Sequence, residues 1–206
     1  MTDNLIGFVI MDEEISTRDR IINAATRLFQ LQGYHATGLN QILRESNAPK
    51  GSLYYYFPKG KEELALECIN LTNVFVEKTI RDGLAEIDDP AESIKKSIEK
   101  IIDNSNSEKD EKHSIKSTKK VSVNLIALET YATNETLRKA CESAYNAWQN
   151  VYTEKLVEGG FNQEEAETLG MVIQSMVEGA IIMSLTTNSD APIQRIAEQI
   201  PIVLKH

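Results

Sequence analysis

The sequence predicts an all-α protein in which three short helices precede a larger helical body. Apolar residues recur at i, i+3, i+4 and i+7 along most of the chain, which is the period of one helix face, and strand-like alternation is nearly absent. Only five prolines and ten glycines interrupt the 206 residues. With 41% hydrophobic residues, the chain can bury a core as one domain, or as a small domain beside a larger one.

Residues 1–15 are predicted to form a leader that precedes the folded part. The leader contains four apolar residues between Ile6 and Ile10, but it lacks a basic region and is too short to span a bilayer. Met1 and Met11 both remain possible natural starts. Cys68 and Cys141 form no CxxC pair, and no secretory signal is evident, so we expect a cytoplasmic protein without membrane association.

Three helices are predicted within residues 16–62. Ser16 and Asp19 have capping-box spacing at the start of the first helix, and Gly33 is expected to end it. Thr37 is predicted to cap the second helix, and Pro49 suits the first position of the third. The residues expected to face the core are Ile21, Ile22, Ala25, Leu28 and Phe29 in the first helix, Leu39, Ile42 and Leu43 in the second, and Leu53, Tyr56 and Phe57 in the third.

Residues 63–206 are predicted to form the body. Its first helix is expected from Lys61 to about Gly83, and a second follows the break at Asp88-Asp89-Pro90. A third is expected from Val121 to Tyr131, and a fourth runs from a cap at Thr133 or Asn134 to Gly159-Gly160. A fifth begins after a cap at Asn162 and includes the apolar stretch Met171 to Leu185, and the last runs from Pro192 to about Leu204. Residues 103–120 lack a hydrophobic period and are interpreted as an exposed connection.

The third helix is predicted to carry a polar and aromatic outer face. Gly51 and Tyr55 lie opposite Leu53 on the helical wheel, Ser52 and Tyr54 flank them, and Lys50 lies at the N-terminal end. In helix-turn-helix docking this end of a helix enters the major groove. Gly51 would let the backbone approach base edges, and the hydroxyl groups can donate to phosphate oxygens. The alternative is that the tyrosines only pack a helical bundle.

The charge distribution favours a polyanionic partner for the first three helices alone. Residues 16–62 hold seven cationic side chains against three acidic ones, a net of +4, which leaves −13 for the remainder of a chain with net charge −9. A basic head on an acidic body is expected where only the head meets nucleic acid. Chance clustering would give the same balance.

The segment around the third helix resembles the TetR family of bacterial repressors. Thr37, Ile42 and then "APKGSLYYYFPKGKEEL" follow the family pattern over about 28 residues. The resemblance implies an operator-DNA contact from Thr37 to phosphate, from the recognition helix through Lys50, Gly51, Ser52, Tyr54 and Tyr55, and from Lys61 at the start of the fourth helix. It also implies a body that binds a small effector and forms a homodimer.

Two departures from the common pattern point to a branch of that family. Ala48-Pro49 stands where Val-Ser is usual, and Gly60 is an extra residue before Lys61. With "IALETYATNETLRKACESAYNAWQ" downstream, these features resemble the LmrA/YxaF branch, whose members repress multidrug-efflux operons. A pseudo-palindromic operator is expected because small DNA-reading motifs normally use two half-sites. The aromatic residues of the body favour an aromatic or drug-like effector.

The stretch from Met171 to Leu185 is apolar on too many sides for one core, which favours a dimer interface. A fully internal helix of a monomer is the alternative. The residues predicted at this interface are Ile173, Val177, Ala180, Ile181 and Leu185, with Ile196 and Ile200 from the last helix.

A pocket for a planar apolar effector is predicted between the long helices of the body. The residues predicted to line it are Phe75, Glu129, Tyr131, Tyr145, Trp148, Tyr152, Met171, Met176 and Glu178. For each aromatic residue taken alone, core packing is the better interpretation. The two carboxylates need partners if buried, and a cationic drug, an internal arginine or solvent would serve.

The sequence offers little support for catalysis. The three histidines are scattered, and no HExxH, phosphate-binding glycine loop or Ser-His-Asp grouping is present. We therefore expect a regulator, not an enzyme, with no cofactor and no metal. A helical enzyme or carrier with the same aromatic pocket is the second hypothesis, and it predicts no salt-sensitive, sequence-specific DNA binding.

Overall fold

The structure is a computed structural model that describes residues 16–106 and 123–205. Every regular element in these two ranges is helical, as the sequence predicts. The helices are α1 (Thr17–Ala36), α2 (Leu39–Glu45), α3 (Lys50–Tyr56), α4 (Lys61–Leu84), α5 (Pro90–Asn106), α6 (Asn124–Thr130), α7 (Glu135–Glu158), α8 (Gln163–Thr187) and α9 (Ala191–Val203). The predicted leader and most of the predicted connection at 103–120 lie outside the described residues.

A first core joins the three N-terminal helices, called the head here, to part of the body. Ile42 and Leu53 are fully buried in it, and residues of α4, α6 and the first half of α7 complete it. The predicted division at residue 62 stays a prediction, and this core extends across it. The head therefore rests on the body through packed side chains as well as through the continuous helix α4.

A second core fills the body. The ends of α4 and α7 pack in it against α5, α8 and α9, with Ile94, Ile98, Ile173 and Ile200 fully buried. Helix α7 contributes to both cores because Trp148 belongs to the first and Val151, Tyr152 and Leu156 belong to the second. It is thus the element that links the two.

Three of the predicted helix caps are confirmed. Ser16 accepts from the Asp19 amide, Asn134 from the Leu137 amide, and Asn162 from the Glu165 amide. Each bond satisfies a donor that the first turn of a helix leaves free. Gly159 ends α7 as predicted.

The predictions around Gly33 and Thr37 are corrected. Gly33 does not end α1 but kinks it, with φ 84° and ψ 172°, and the chain resumes a helical turn to Ala36. The cap of α2 is Gly38, which makes no side-chain bond. Thr37 does not cap the helix, because its hydroxyl donates to the Gly33 carbonyl at 2.7 Å. Thr37 is 1% exposed.

Other boundaries shift by a few residues. Pro49 is the cap of α3 instead of its first residue, and it makes no side-chain bond there. Helix α5 continues to Asn106, beyond the predicted start of the connection. Helix α6 spans Asn124–Thr130, shorter than predicted, although residues 121 and 122 lie outside the described part.

Candidate nucleic-acid interface and effector region

Helix α3 packs on the core with one side and exposes the other side to solvent. Leu53 and Phe57 are buried, whereas Tyr54 is 51% exposed and Tyr55 is 80% exposed. The Arg18 guanidinium lies 5.7 Å from the centre of the Phe57 ring, which fixes the end of the helix. The outer face thus presents rigid aromatic side chains on a fixed support.

Tyr56 was predicted to face the core, and this is wrong. Its side chain is 37% exposed, and its ring lies 5.0 Å from that of Tyr55 in an edge-on arrangement. Tyr56 is the last residue of a seven-residue helix, where a wheel drawn for a longer helix is a poor guide. The exposed face therefore carries three tyrosines, not two.

The N-terminal end of α3 is open to a ligand. Lys50 and Gly51 are exposed and Ser52 is partly buried. Within residues 16–106 and 123–205, no atom lies within 4 Å of the position that a Cβ would occupy on Gly51. The backbone of this turn can accordingly approach another surface closely.

The structure separates the seven cations of residues 16–62, which the sequence could only count together. Arg18 pairs with Glu67, Arg27 pairs with Glu45, and Arg20 donates to the Ser46 carbonyl and the Thr17 hydroxyl. Among the described residues, the side chains of Arg44, Lys50 and Lys59 have no such partner. Arg44 and Lys59 were not among the predicted DNA contacts, and their availability becomes visible only once the ion pairs are assigned.

Lys61 lies where the head meets the body. Its ammonium lies 4.4 Å from the centre of the Tyr34 ring and donates to the His35 carbonyl at 3.4 Å. Partial burial lowers the pKa of Lys61, and the nearby charge of Glu129 opposes that shift.

Glu129 belongs to this same region and not to a pocket, which corrects its predicted place. Its carboxylate accepts from the His35 amide at 2.9 Å and fills the space beside Gly33, where a Cβ would lie 2.1 Å from the carboxylate oxygen. The His35 ring contacts the Glu129 carbonyl oxygen at 3.1 Å. One turn further, Asn134 donates to Glu62 at the start of α4 at 2.7 Å.

The structure brings together five of the nine predicted effector residues. Tyr145 and Trp148 stack edge-on at 5.5 Å in α7, and Tyr152 lies one turn further along. Glu178 of α8 accepts amide bonds from Asn124 and Gln174, both at 2.8 Å, and Tyr145 donates to Asn124. Met176 packs against the second core.

The cluster contains polar groups that are buried or partly buried. Burial raises the pKa of Glu178 and, with the Glu178 charge, that of Tyr145 and Tyr152. None of the described residues donates a hydrogen bond to the buried carbonyl oxygen of the Gln174 side chain. A buried acceptor left in this way costs free energy, so a ligand that brings a donor would be favoured there.

The remaining predicted effector residues are not part of the cluster. Phe75, Tyr131 and Met171 are each more than half exposed on the surface. Trp148 and Tyr152 are almost fully buried, so the cluster is closed in this structure. A small cavity between α1, α4 and α6, lined by Thr26, Gln30 and Cys68 among others, is too small for a drug-sized compound.

The predicted dimer surface is partly corrected. Ile173, Val177, Ala180 and Ile200 are buried in the chain's own second core and are not available to a partner. Leu185 is exposed, and Ile181 and Ile196 are partly so. The exposed side of α8, called the α8 outer face here, consists of Thr168, Met171, Val172, Ser175, Gly179, Ile182, Met183, Leu185 and Thr186.

Helix α8 is long and apolar enough to cross a membrane by length and composition alone. That is a weak indication, because core helices of soluble proteins meet the same criterion. Helix α8 packs against α7 and α9 and carries the partly buried Glu178.

Comparison with known proteins agrees with this architecture. Residues 21–68 match the bacterial regulatory proteins of the tetR family, and residues 90–199 match the C-terminal domain of LmrA/YxaF-like transcriptional regulators. The chain belongs to the TetR family, in its LmrA/YxaF-like branch. The resemblance drawn from α3 and its surroundings is thereby confirmed.

Two relatives from Bacillus subtilis support the assignment over almost the whole length. The chain is 48% identical to the HTH-type transcriptional regulator YxaF over 92% of this chain and 95% of that protein. It is 42% identical to the transcriptional regulator LmrA over 92% of this chain and 97% of that protein. The relatives of this TetR-family protein are transcriptional regulators, not enzymes.

A solved TetR regulator from Legionella pneumophila shows the same fold at low identity. The TM-score is 0.78 at 19% identity, covering 94% of this chain and 100% of the other. The helix-turn-helix head and the larger helical body are therefore features of the fold. By the family matches and the two Bacillus subtilis relatives, the TetR-family protein is a helix-turn-helix transcriptional regulator that binds DNA.

Proposed function

We propose that this regulator is a cytoplasmic repressor that binds a pseudo-palindromic operator as a homodimer and is released by a small aromatic effector. The observation that carries the proposal is the exposed face of α3, where Lys50, Gly51, Tyr54 and Tyr55 stand on the buried anchors Leu53 and Phe57. Ser52 and Lys61 supply further DNA contacts. Control of an efflux or resistance gene rests on the resemblance to the LmrA/YxaF branch alone.

The DNA contacts divide into two kinds. Lys50 lies at the exposed N-terminal end of α3, where side chains reach base edges in the major groove. Lys61 lies at the start of α4, where it would meet a phosphate. Thr37 stays a predicted phosphate contact, although its hydroxyl already bonds to Gly33.

The dimer is proposed to form through the α8 outer face. Met171, Val172, Ile182 and Met183 expose apolar surface there, and Ser175 and Gly179 permit close approach of a second helix. Two copies of the head then read two half-sites about 34 Å apart, or somewhat more.

The effector is proposed to bind at Tyr145, Trp148, Tyr152, Met176 and Glu178. The aromatic rings would contact a planar compound, and the acceptors at Gln174 and Glu178 favour a compound that carries hydrogen-bond donors. Because Trp148 donates to the Asn73 carbonyl of α4 at 3.3 Å, a compound that moves Trp148 would also disturb α4, which continues from the head.

In vitro selection from random duplexes, followed by binding measurements over a range of salt concentrations, tests the DNA-binding part. Lys50→Ala should reduce discrimination between the selected and a scrambled duplex by about 1–3 kcal/mol. Lys61→Ala should weaken binding to both duplexes and reduce the salt slope by about one. If neither change affects the selected duplex, the assignment of these contacts is wrong.

Tryptophan fluorescence tests the effector part, because Trp148 is the one tryptophan of the chain. A panel of flavonoids and aromatic cations should include a compound that quenches Trp148 saturably and releases the selected duplex at the same concentrations. Quenching without release would mean a pocket that is not coupled to DNA binding. Release with unchanged ligand affinity after Trp148→Ala would place the effector site elsewhere.

A further inference from the structure

Two contacts on the His35 backbone join the head to the body. The Lys61 ammonium donates to the His35 carbonyl at 3.4 Å, and the Glu129 carboxylate accepts from the His35 amide at 2.9 Å. A cation predicted to bind DNA and a body carboxylate are therefore held on the same residue. Glu129 lies in the last turn of α6, 94 positions away from His35 in the sequence.

The packing leaves Glu129 little freedom to leave this position. Its carboxylate occupies the space beside Gly33 that a side chain would otherwise fill. The His35 ring and the Thr133 hydroxyl both contact the Glu129 carbonyl oxygen. The negative charge is thus fixed against the kink of α1, on the amide side of the same residue whose carbonyl accepts from Lys61, and the two charged groups form no direct ion pair in the described part of the chain.

We propose that Glu129 is a positioning residue for DNA binding, whose carboxylate draws the Lys61 ammonium toward the body and competes with DNA phosphate for it. This inference rests on the proposed function, because it requires Lys61 to contact phosphate. A carboxylate and a phosphate both attract the same ammonium, so DNA binding at this point costs the interaction with Glu129. The position of α6 in the body then sets how strongly Lys61 holds DNA.

The test compares the full-length wild type with Glu129→Gln, Lys61→Ala and the double variant. Gln at position 129 keeps an acceptor oxygen for the His35 amide and removes only the charge. Glu129→Gln should tighten binding to a selected duplex of about 30 bp by about fivefold at low salt, in line with a single charge interaction at a protein surface. The salt slope should change by well under about 0.9, because Lys61 already makes its one phosphate contact in the wild type.

The double variant separates competition from simple structural support. In the Lys61→Ala background, Glu129→Gln should leave both affinity and salt slope unchanged, because no ammonium remains for the two anions to share. Glu129→Asp, which keeps the charge, should behave more like wild type. Glu158→Gln removes one charge at the far end of α7 and serves as the matched control, with affinity unchanged within about twofold.

Two results of the variant comparison would overturn the inference. Weaker binding by Glu129→Gln, or an equal change with and without Lys61, would mean that Glu129 only supports the fold. Thermal unfolding of each variant identifies loss of structure, and Glu129→Ala provides a second charge-removing variant under the same comparison. Absence of any salt-sensitive duplex binding by the wild type would overturn the proposed function, and this inference with it.

Discussion

Gly51 shows how one residue can serve binding at the expense of stability. It lies in a helix, where glycine is less favourable than alanine by about 0.5–1 kcal/mol, yet the position has open space for a side chain. Packing in the free protein therefore does not require glycine here. Close approach of the α3 backbone to DNA would require it.

We accordingly expect Gly51→Ala to stabilise the free protein by about 0.5–1 kcal/mol and to weaken binding to the selected duplex by about 1 kcal/mol or more. Gly33→Ala is the matched comparison, since Gly33 has φ 84° and abuts Glu129; it should destabilise by about 1–3 kcal/mol. Urea unfolding and duplex binding measure the two effects. If Gly51→Ala leaves duplex affinity unchanged, α3 does not approach DNA at this point.

Glu178 should make stability depend on pH. Burial raises its pKa above the ordinary value of 4.5, so the folded protein holds this proton more tightly than the unfolded chain. The contribution of Glu178 to stability therefore falls as pH rises through the unfolded value toward the raised folded value. Glu178→Gln removes this titration.

Urea unfolding of both proteins between about pH 4 and pH 8 checks the sign. The free energy of unfolding of Glu178→Gln relative to wild type should increase across that range. A constant difference would mean that Glu178 has the same pKa in both states. Glu164→Gln, an exposed carboxylate of the same helix, is the control.

At the scale of elements, the start of α7 has one role that the start of α8 does not. Asn134 and Asn162 both cap a helix, but Asn134 also donates to Glu62 of α4. Both Asn134→Ala and Asn162→Ala should cost about 0.5–2 kcal/mol of stability. A difference in duplex affinity between the two variants therefore reports on the link from α7 to the head.

We expect Asn134→Ala to change duplex affinity and Asn162→Ala to leave it unchanged, because only the first alters the start of α4. Thermal unfolding and duplex titrations on the same preparations measure both effects. The two variants should lose similar stability but differ in duplex affinity. Identical duplex affinity for the two variants would show that the Asn134 bond to Glu62 does not position the head.

At the scale of the whole molecule, the α8 outer face carries exposed apolar surface along one helix. Single exposed apolar residues are ordinary, but a continuous set along a helix favours a partner. Gly179 lies on this face, and no atom in the described part of the chain lies within 4 Å of its Cβ position, so the described fold of one chain tolerates a side chain there. A second helix in close contact would not.

Gly179→Arg should therefore convert a dimer to a monomer of 23.1 kDa without loss of helix content. Light scattering gives the mass, and circular dichroism gives the helix content. Asn150→Arg, on the exposed side of α7, should remain a dimer. A dimeric Gly179→Arg would move the interface away from this face.

Local features were largely predictable from the sequence. The caps at Ser16, Asn134 and Asn162 depend on atoms three residues apart, and helix periodicity depends on neighbours within two turns. The exposure of Tyr55 followed from its place opposite Leu53. These properties need no knowledge of the remainder of the chain.

Only the tertiary structure decided which of two apolar faces of α8 is buried, and which carboxylate serves which partner. Val177 and Ile182 are equally apolar in sequence, but α7 and α9 cover the first and leave the second exposed. Glu129 and Glu178 both have apolar neighbours in sequence, yet one binds His35 in the head and the other binds amides in the body. The physical reason is that such contacts join residues far apart in the chain, where no local propensity or spacing determines which surfaces meet.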